Sequence, residues 1–500
     1  MDKIYLILSL CIISIESKRI LSLFPIPSIS HQVVFRPVMQ ELAKRGHEVT
    51  VITTDPAFPM DGAPENLIEI DVHDISYQLL DKCFKSKILG GSAFDIMKIV
   101  LVCSSMIFEE QMKSKEIQAL INNKINKFDL LFIESMSRPS LIFTHLYDVP
   151  VIEFSSFAGQ FDLYERIGAA TQPLIYPLPV HQRIYNLTLW DKVFELYMHF
   201  TCDYTYHLFE PIDNKMFKRV FGPSMPEAKE LRKNVQMTFL NVHPIWDTNR
   251  PVPPNVIYLG GLHQKPAKQL PQDIQSYLDS SIYGVIYVSF GTNVQTSLFS
   301  RETIKIFTTV FSKLPYEVLL KWDNDEFPEG LKNVKISKWF PQSDLLRHPK
   351  VKLFITQGGL QSTDEAITAG VPLIGIPILW DQWFNVEKYV KHNIGMGLDL
   401  KTLSEEKLAE AIKTLIDNNQ SYRDNVAKLR NIIQDQPQTP LERAVWWTEY
   451  VLRHGSAAHL KSPAANMHWT EYYELKLVLL LLGIFVSIII LIVFLLRFGL

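Results

Sequence analysis

From Arg19 to Thr53 the chain passes through an apolar strand pattern closed by Pro25-Ile-Pro27 and a helix-spaced apolar set, Val33, Val34, Val38, Leu42 and Ala43. Gly46 ends that set, and a second apolar strand, Val49–Thr53, follows. Strand, helix and strand within about thirty-five residues form a crossover, which makes the two strands parallel and puts the helix on one face of their sheet. Phe128–Ile133 and Val149–Phe154 add further apolar strands. After the Pro-rich stretch Arg250-Pro-Val-Pro-Pro254 and Gly260-Gly261 the alternation resumes, with Gly284–Phe290, Glu317–Trp322, Val334–Trp339, Lys352–Thr356 and Val371–Ile376 as strands. The pattern predicts two doubly wound α/β halves joined by a linker, with a ligand cleft between them. The boundaries expected are 19–245, a linker at 246–282, and 283–455. Residues 160–235, rich in aromatic side chains without strand periodicity, read as helices and loops walling a hydrophobic pocket.

The two ends carry a different message. Lys3 and the apolar run Ile4–Ile15 fit a secretory signal occupying residues 1–18. Leu477–Leu496 holds twenty residues without a charge, enough helix to cross a hydrocarbon core of roughly 30 Å. Residues 456–475 then read as juxtamembrane, 476–497 as a membrane span and 498–500 as a cytosolic tail. A GPI signal would also end in an apolar tail, but the small residues Ser456, Ala457 and Ala458 lie too far upstream of it. The reading is a single-pass type I protein with its bulk in the lumen. There Asn186-Leu-Thr188 and Asn419-Gln-Ser421 are glycosylation acceptors. Cys11 leaves with the signal, and Cys83, Cys103 and Cys202 have neither the number for full pairing nor a metal-ligand spacing. Neither a disulfide framework nor a zinc site is expected. Lys and Arg total 50 against 53 Asp and Glu, so no basic field exists to hold a nucleic acid.

Chemistry concentrates in one stretch of the second half. The strand Lys352–Thr356 runs through Gln357 into Gly358-Gly359, and a helix starts near Gln361. Paired glycines admit a ligand close to the backbone, and the helix start offers free N–H groups with partial positive charge, an anion site suited to a diphosphate. Trp339, at a strand end before Phe-Pro-Gln342, is placed to stack on a planar base, with Gln342 for that base's edge. Glu365 lies one turn along the helix face from Gln361, where a carboxylate can accept two ribose hydroxyls. Asp381-Gln382 suits the hydroxyls of a sugar, and Ser289, Gly291 and Thr292 end another strand with hydroxyl and backbone donors.

In this order (base, phosphate, ribose, sugar) the segment resembles the signature of the UDP-glycosyltransferase family, which includes the UDP-glucuronosyltransferases. The likeness extends through Phe128-Asp129, Gly260-Gly261-Leu-His263, Lys265-Pro-Ala-Lys268 and Pro440-Leu-Glu-Arg-Ala444. The Gln357-Gly-Gly-Leu-Gln-Ser-Thr363 run is most similar to the insect and insect-virus branch. The resemblance implies a GT-B fold with the acceptor in the first half and the UDP-sugar in the second. It implies that Trp339 and Gln342 bind uracil, that Glu365 binds ribose, and that Ser289, Thr356, Gln357, Gly358 and Gly359 hold the diphosphate. Gln361, Asp381 and Gln382 would face phosphate and sugar, and Arg250 would reach towards the phosphates. His31, just after the first strand, is the implied catalytic base, with Glu134 in the place of the family's usual Asp. Gln357 stands where most relatives have His, and the tail lacks the paired lysines common in relatives.

The expected activity is inverting transfer of a hexosyl group, UDP-glucose favoured, to a hydroxyl of a small lipophilic acceptor, as in detoxification. UDP-glucuronate as donor is the alternative within the class. A non-catalytic UDP-sugar- or lipophile-binding membrane protein is the alternative outside it. No cofactor and no metal are expected, the location is the endoplasmic reticulum membrane, and a homo- or hetero-oligomer is compatible with the sequence.

Overall fold

The computed structural model describes residues 17–59, 62–84, 93–122, 127–292, 294, 296, 299–324 and 331–499. The expected signal segment lies almost wholly outside them. Two parallel sheets form the frame. The first contains β1 (Arg19–Phe24), β2 (Glu48–Thr53), β3 (Leu67–Asp71), β4 (Leu130–Glu134), β5 (Val151–Ser155), β6 (Val235–Leu240) and β7 (Val256–Tyr258), in the order β3-β2-β1-β4-β5-β6-β7. The second contains β8 (Val285–Ser289), β9 (Glu317–Lys321), β10 (Val334–Ser337), β11 (Val351–Thr356), β12 (Leu373–Gly375) and β13 (Gly395–Gly397), in the order β10-β9-β8-β11-β12-β13. Central strands β4, β5 and β8 are buried along their whole length, as expected of parallel strands covered on both faces.

Each sheet winds outward from its first strand, then crosses back to start again on the other side. The reversal falls between β1 and β4 in the first sheet and between β8 and β11 in the second. Ligands of open α/β sheets bind outside the carboxyl ends of the strands at such a reversal. Register makes this concrete, because Thr356 pairs with Ser289 and sets two hydroxyls side by side at the second reversal.

Three features differ from the sequence reading. The stretch expected to be a linker carries β7, which extends the first sheet, and the helix Gln272–Ser280. The helix Pro440–His454, expected to end the second half, packs on the first. Its Ala444, Val445 and Val451 join the core of Val34, Phe35 and Val38 from the helix Ile29–Lys44, and Arg45 pairs with Glu449 at 3.2 Å. Cys83 and Cys103 form a disulfide between the helices His73–Phe84 and Ala93–Gln111, where the sequence supported no disulfide framework; Cys202 is free and buried. The sequence could not show that pairing because it depends on two helices lying alongside each other. Residues 160–235 do fold mainly as helices, including Leu189–Leu208 and Glu210–Phe221. The helix Leu475–Phe498, 24 residues with none buried, is long and apolar enough to cross a membrane.

Candidate active site

The carboxyl ends of β1 and β4 bring together a histidine and a carboxylate that are 103 residues apart. His31 stands in the first turn of the helix Ile29–Lys44, and Glu134 is the last residue of β4. His31 Nδ1 and Glu134 Oε1 are 2.6 Å apart, and the Ile26 amide donates to Glu134 Oε2 at 3.3 Å. Both side chains are nearly enclosed, at 8% and 1% exposure, with the Phe157 ring edge-on to the imidazole. Burial pushes the Glu134 carboxyl up, and the contact with His31 pulls it back. A carboxylate on Nδ1 fixes the ring orientation and leaves Nε2 as the nitrogen that can take a proton.

At the second reversal the expected anion cradle takes shape. Gly359 caps the helix Leu360–Ala369 with no side-chain cap, so helix-start amides face the site. Gly358 has φ +92°, and a Cβ there would meet Val386 at 2.7 Å. Gly291 has φ +78°, and a Cβ there would lie 2.2 Å from Gln357 Nε2. Both positions need glycine for conformation and for space. Gln357 Oε1 accepts from the Thr356 hydroxyl at 3.0 Å, which turns its amide nitrogen toward Gly291 and Gly359. Ser289 is buried and accepts from the Gly291 amide, and Thr292 is exposed next to it.

Trp339, just past β10, is 62% exposed, an unusual state for an indole. Lys321 lies 4.8 Å from its ring centre and donates to the Gly291 carbonyl at 2.8 Å, tying the exposed indole to the glycine loop. Gln342 is placed differently from the expectation of uracil binding. Its amide donates to Ser362 at 2.9 Å and Glu365 at 2.7 Å and its oxygen accepts from Tyr287, so its hydrogen-bonding groups are engaged within the protein. Arg250 also departs from its expected role. It is 3% exposed, donates to the carbonyls of Ala170, Tyr176 and Pro177, and lies against Asp247 and the Tyr164 ring. A guanidinium spent on four partners is a brace for the 170–177 loop rather than a phosphate ligand.

Asp381 stands at the start of the helix Gln382–Lys391. Asn385 donates to it at 2.8 Å. Burial lifts its carboxyl to about 6 against this contact and the pull of His31 from the other lobe. Gln382 accepts from the amides of Ile378 and Leu379, leaving its nitrogen for a ligand, and Gln361 donates to the Ser156 carbonyl of the first half.

Sequence reasoning missed the residues that couple the halves. The Trp246 indole donates to Asn385 at 2.8 Å, and Asn385 in turn holds both Asp381 and the Gly358 carbonyl. Lys388, fully buried, donates to the Trp246 carbonyl. Trp380 donates to Gln160 at 3.0 Å and meets the Phe161 ring, and Phe161 and Trp380 both have positive φ, a strained state for bulky residues. The only local sign of these contacts was Asn385 falling one turn after Asp381. Phe161, Cys202, Tyr206, Met97 and Leu101 form a buried apolar cluster against which Trp380 packs. Of the two sequons, Asn186 is exposed, whereas the Asn419 amide is committed to the carbonyls of Lys352 and Leu415 and to Arg423.

Comparison with known proteins fits this geometry. A family model described as UDP-glucoronosyl and UDP-glucosyl transferase matches residues 20–500. The chain is 36% identical over 500 residues to an ecdysteroid UDP-glucosyltransferase of Spodoptera littoralis nuclear polyhedrosis virus, covering 96% of this chain and 97% of that protein. It is 33% identical over 485 residues to UDP-glucosyltransferase 2 of Dactylopius coccus, covering 93% and 90%. In fold it is similar to the solved structure of CalG4, the calicheamicin glycosyltransferase, with a TM-score of 0.57 and 15% identity over 88% of this chain and 99% of that one. The two facing sheets are those of a GT-B glycosyltransferase.

Proposed function

The chain belongs to the UDP-glycosyltransferase family, and from that premise we propose that it moves glucose from UDP-glucose to a hydroxyl of a small lipophilic acceptor with inversion at the anomeric carbon. The pairing of His31 with Glu134 at the carboxyl ends of β1 and β4 carries this reading. His31 Nε2 takes the acceptor's hydroxyl proton while that oxygen bonds to the anomeric carbon. The bond from that carbon to the diphosphate oxygen breaks, and UDP leaves with the electron pair. Glu134 stabilises the imidazolium as it forms. The amides opening the helix Leu360–Ala369, with the Gln357 amide, receive the negative charge on the departing diphosphate. Trp339 stacks on the uracil, Glu365 binds the ribose, and Asp381 with Gln382 binds the sugar hydroxyls.

Glucose is favoured because relatives on both sides of the comparison are named glucosyltransferases. A steroid of the class in the viral enzyme's name is the first acceptor to test. The Cys83–Cys103 disulfide fits an oxidising compartment, and the Leu475–Phe498 helix fits a membrane anchor. We therefore place the catalytic halves on the lumenal side of the endoplasmic reticulum membrane, with Asn186 as the glycosylated sequon. The deciding experiment measures UDP release and product mass for UDP-glucose and UDP-glucuronate separately, over a panel of steroids and phenols. Glucoside formation is expected. Turnover with glucuronate alone overturns the donor assignment, and UDP binding without product on any acceptor overturns the catalytic one.

A further inference from the structure

The loop that follows β5 touches both the candidate base and the second lobe. Phe157 sets its ring edge-on to the His31 imidazole, with 5.3 Å between ring centres. One residue earlier, the Ser156 carbonyl accepts from Gln361, in the first turn of the helix Leu360–Ala369 whose start forms the anion cradle. Towards the end of the loop Gln160 accepts from the Trp380 indole at 3.0 Å, and Trp380 immediately precedes Asp381. Residues 156–161 therefore bridge His31 and the second lobe. On the proposed function the hexose lies between those same groups, because its anomeric carbon is attacked from the His31 side while its diphosphate rests in the cradle.

Gln160 carries an atom that these surroundings leave over. The residue is 2% exposed, and its amide nitrogen has no hydrogen-bond partner among the described residues. An indole nitrogen only donates, so the atom facing Trp380 is Oε1 and the one left over is the donor Nε2. Ser156, 1% exposed on the same loop, has a hydroxyl in the same condition. A buried donor without an acceptor is costly, and native proteins keep few of them. The contact is also held under strain. Phe161 has φ +51° and Trp380 φ +53°, left-handed values that bulky side chains rarely take, and the two rings pack edge to face.

We propose that Gln160 is the first lobe's ligand for the donor sugar, its amide nitrogen donating to a hydroxyl oxygen of the hexose, with Trp380 as the positioning residue that turns the amide. The inference rests on the proposed transfer from UDP-glucose. With Oε1 held by the indole, the amide can only donate at its other end, and a sugar hydroxyl oxygen accepts there. Asp381 accepts from sugar hydroxyls on the same reading, so the two lobes grip the hexose in opposite hydrogen-bonding senses.

The test titrates UDP and UDP-glucose separately into the full chain in detergent micelles, by calorimetry. Gln160→Met keeps the length of the side chain and removes the donor. It should weaken UDP-glucose about fivefold to tenfold and leave UDP within about twofold. Gln160→Asn draws the amide back by one methylene and, as the second variant, should give the same split. Among the 2-, 3-, 4- and 6-deoxy forms of UDP-glucose, one should bind the unaltered protein and Gln160→Met equally, which identifies the hydroxyl concerned. Trp380→Phe lacks the indole donor and should raise the UDP-glucose Kd in the unaltered background but not in that of Gln160→Met. Unchanged UDP-glucose affinity in both Gln160 variants overturns the inference and leaves the proposed function standing. A parallel loss of UDP and UDP-glucose affinity at unchanged Tm marks a structural clasp and overturns it too. An unaltered protein that forms no glucoside on any acceptor removes the proposed function, and the inference with it.

Discussion

Glu134 closes β4 in the first half and Asp381 caps the helix Gln382–Lys391 in the second, and the proposed chemistry uses their charges differently. Glu134→Gln keeps the shape at His31 Nδ1 but removes the charge that stabilises the imidazolium, so kcat should fall about a hundredfold or more with UDP affinity unchanged. Steady-state rates with calorimetric UDP binding check this. Asp381 has its carboxyl lifted to about 6 by burial, and on the proposed reading it accepts sugar hydroxyls as a carboxylate. Protonation on falling pH removes that acceptor, so the donor KM should rise as pH drops through about 6, and Asp381→Asn should flatten the profile. A donor KM that is level between pH 5 and 8 in the unaltered protein counts against the assignment. His31 was legible because it follows the first strand of a crossover unit and matches the family resemblance, whereas Glu134 was reached through the resemblance alone. The true engagements of Gln342 and Arg250 were not, because their partners are set by tertiary packing: Tyr287 lies 55 residues from Gln342, and Tyr176 lies 74 from Arg250.

The elements around the site act as a set of fixed supports. The turn after β6 holds the helix Gln382–Lys391 through Trp246 and Asn385. Trp246→Phe keeps the aromatic packing and removes the indole donor, at a cost of about 1 kcal/mol. With Asn385 free to rotate, Asp381 loses its fixed position, so the donor KM should rise several-fold with little change in Tm. A fall in Tm with an unchanged KM would mean that the contact is merely structural. The disulfide closes a separation of 20 residues, so Cys103→Ser should lower stability by about 3 kcal/mol, read as a reduced denaturant midpoint. Long strands such as β1, β8 and β11 were visible as continuous apolar runs. β7 and β13 have three residues each, too few for any periodicity, and their pairing is decided by the sheet they join.

On the proposed reading the donor's base and sugar are gripped at separate places, the base at the far edge of the second sheet beside Trp339 and the sugar beside Asp381. Trp339→Ala should weaken donor affinity by about 1–3 kcal/mol, measured by UDP titration, while leaving the His31–Glu134 pair and the fold intact. The two-lobed plan could be read from the recurrence of crossover units, but the return of Pro440–His454 to the first lobe could not, since an amphipathic helix does not announce which core it will cover. That return has a consequence for synthesis and for exchange between relatives. The helix bearing His31 keeps an apolar flank bare until the ribosome has delivered residues near 451, so the first lobe cannot finish folding ahead of the second. A chimera that swaps acceptor halves must carry residues 440–457 along with the amino-terminal portion, or it will unite a catalytic helix with a foreign buttress.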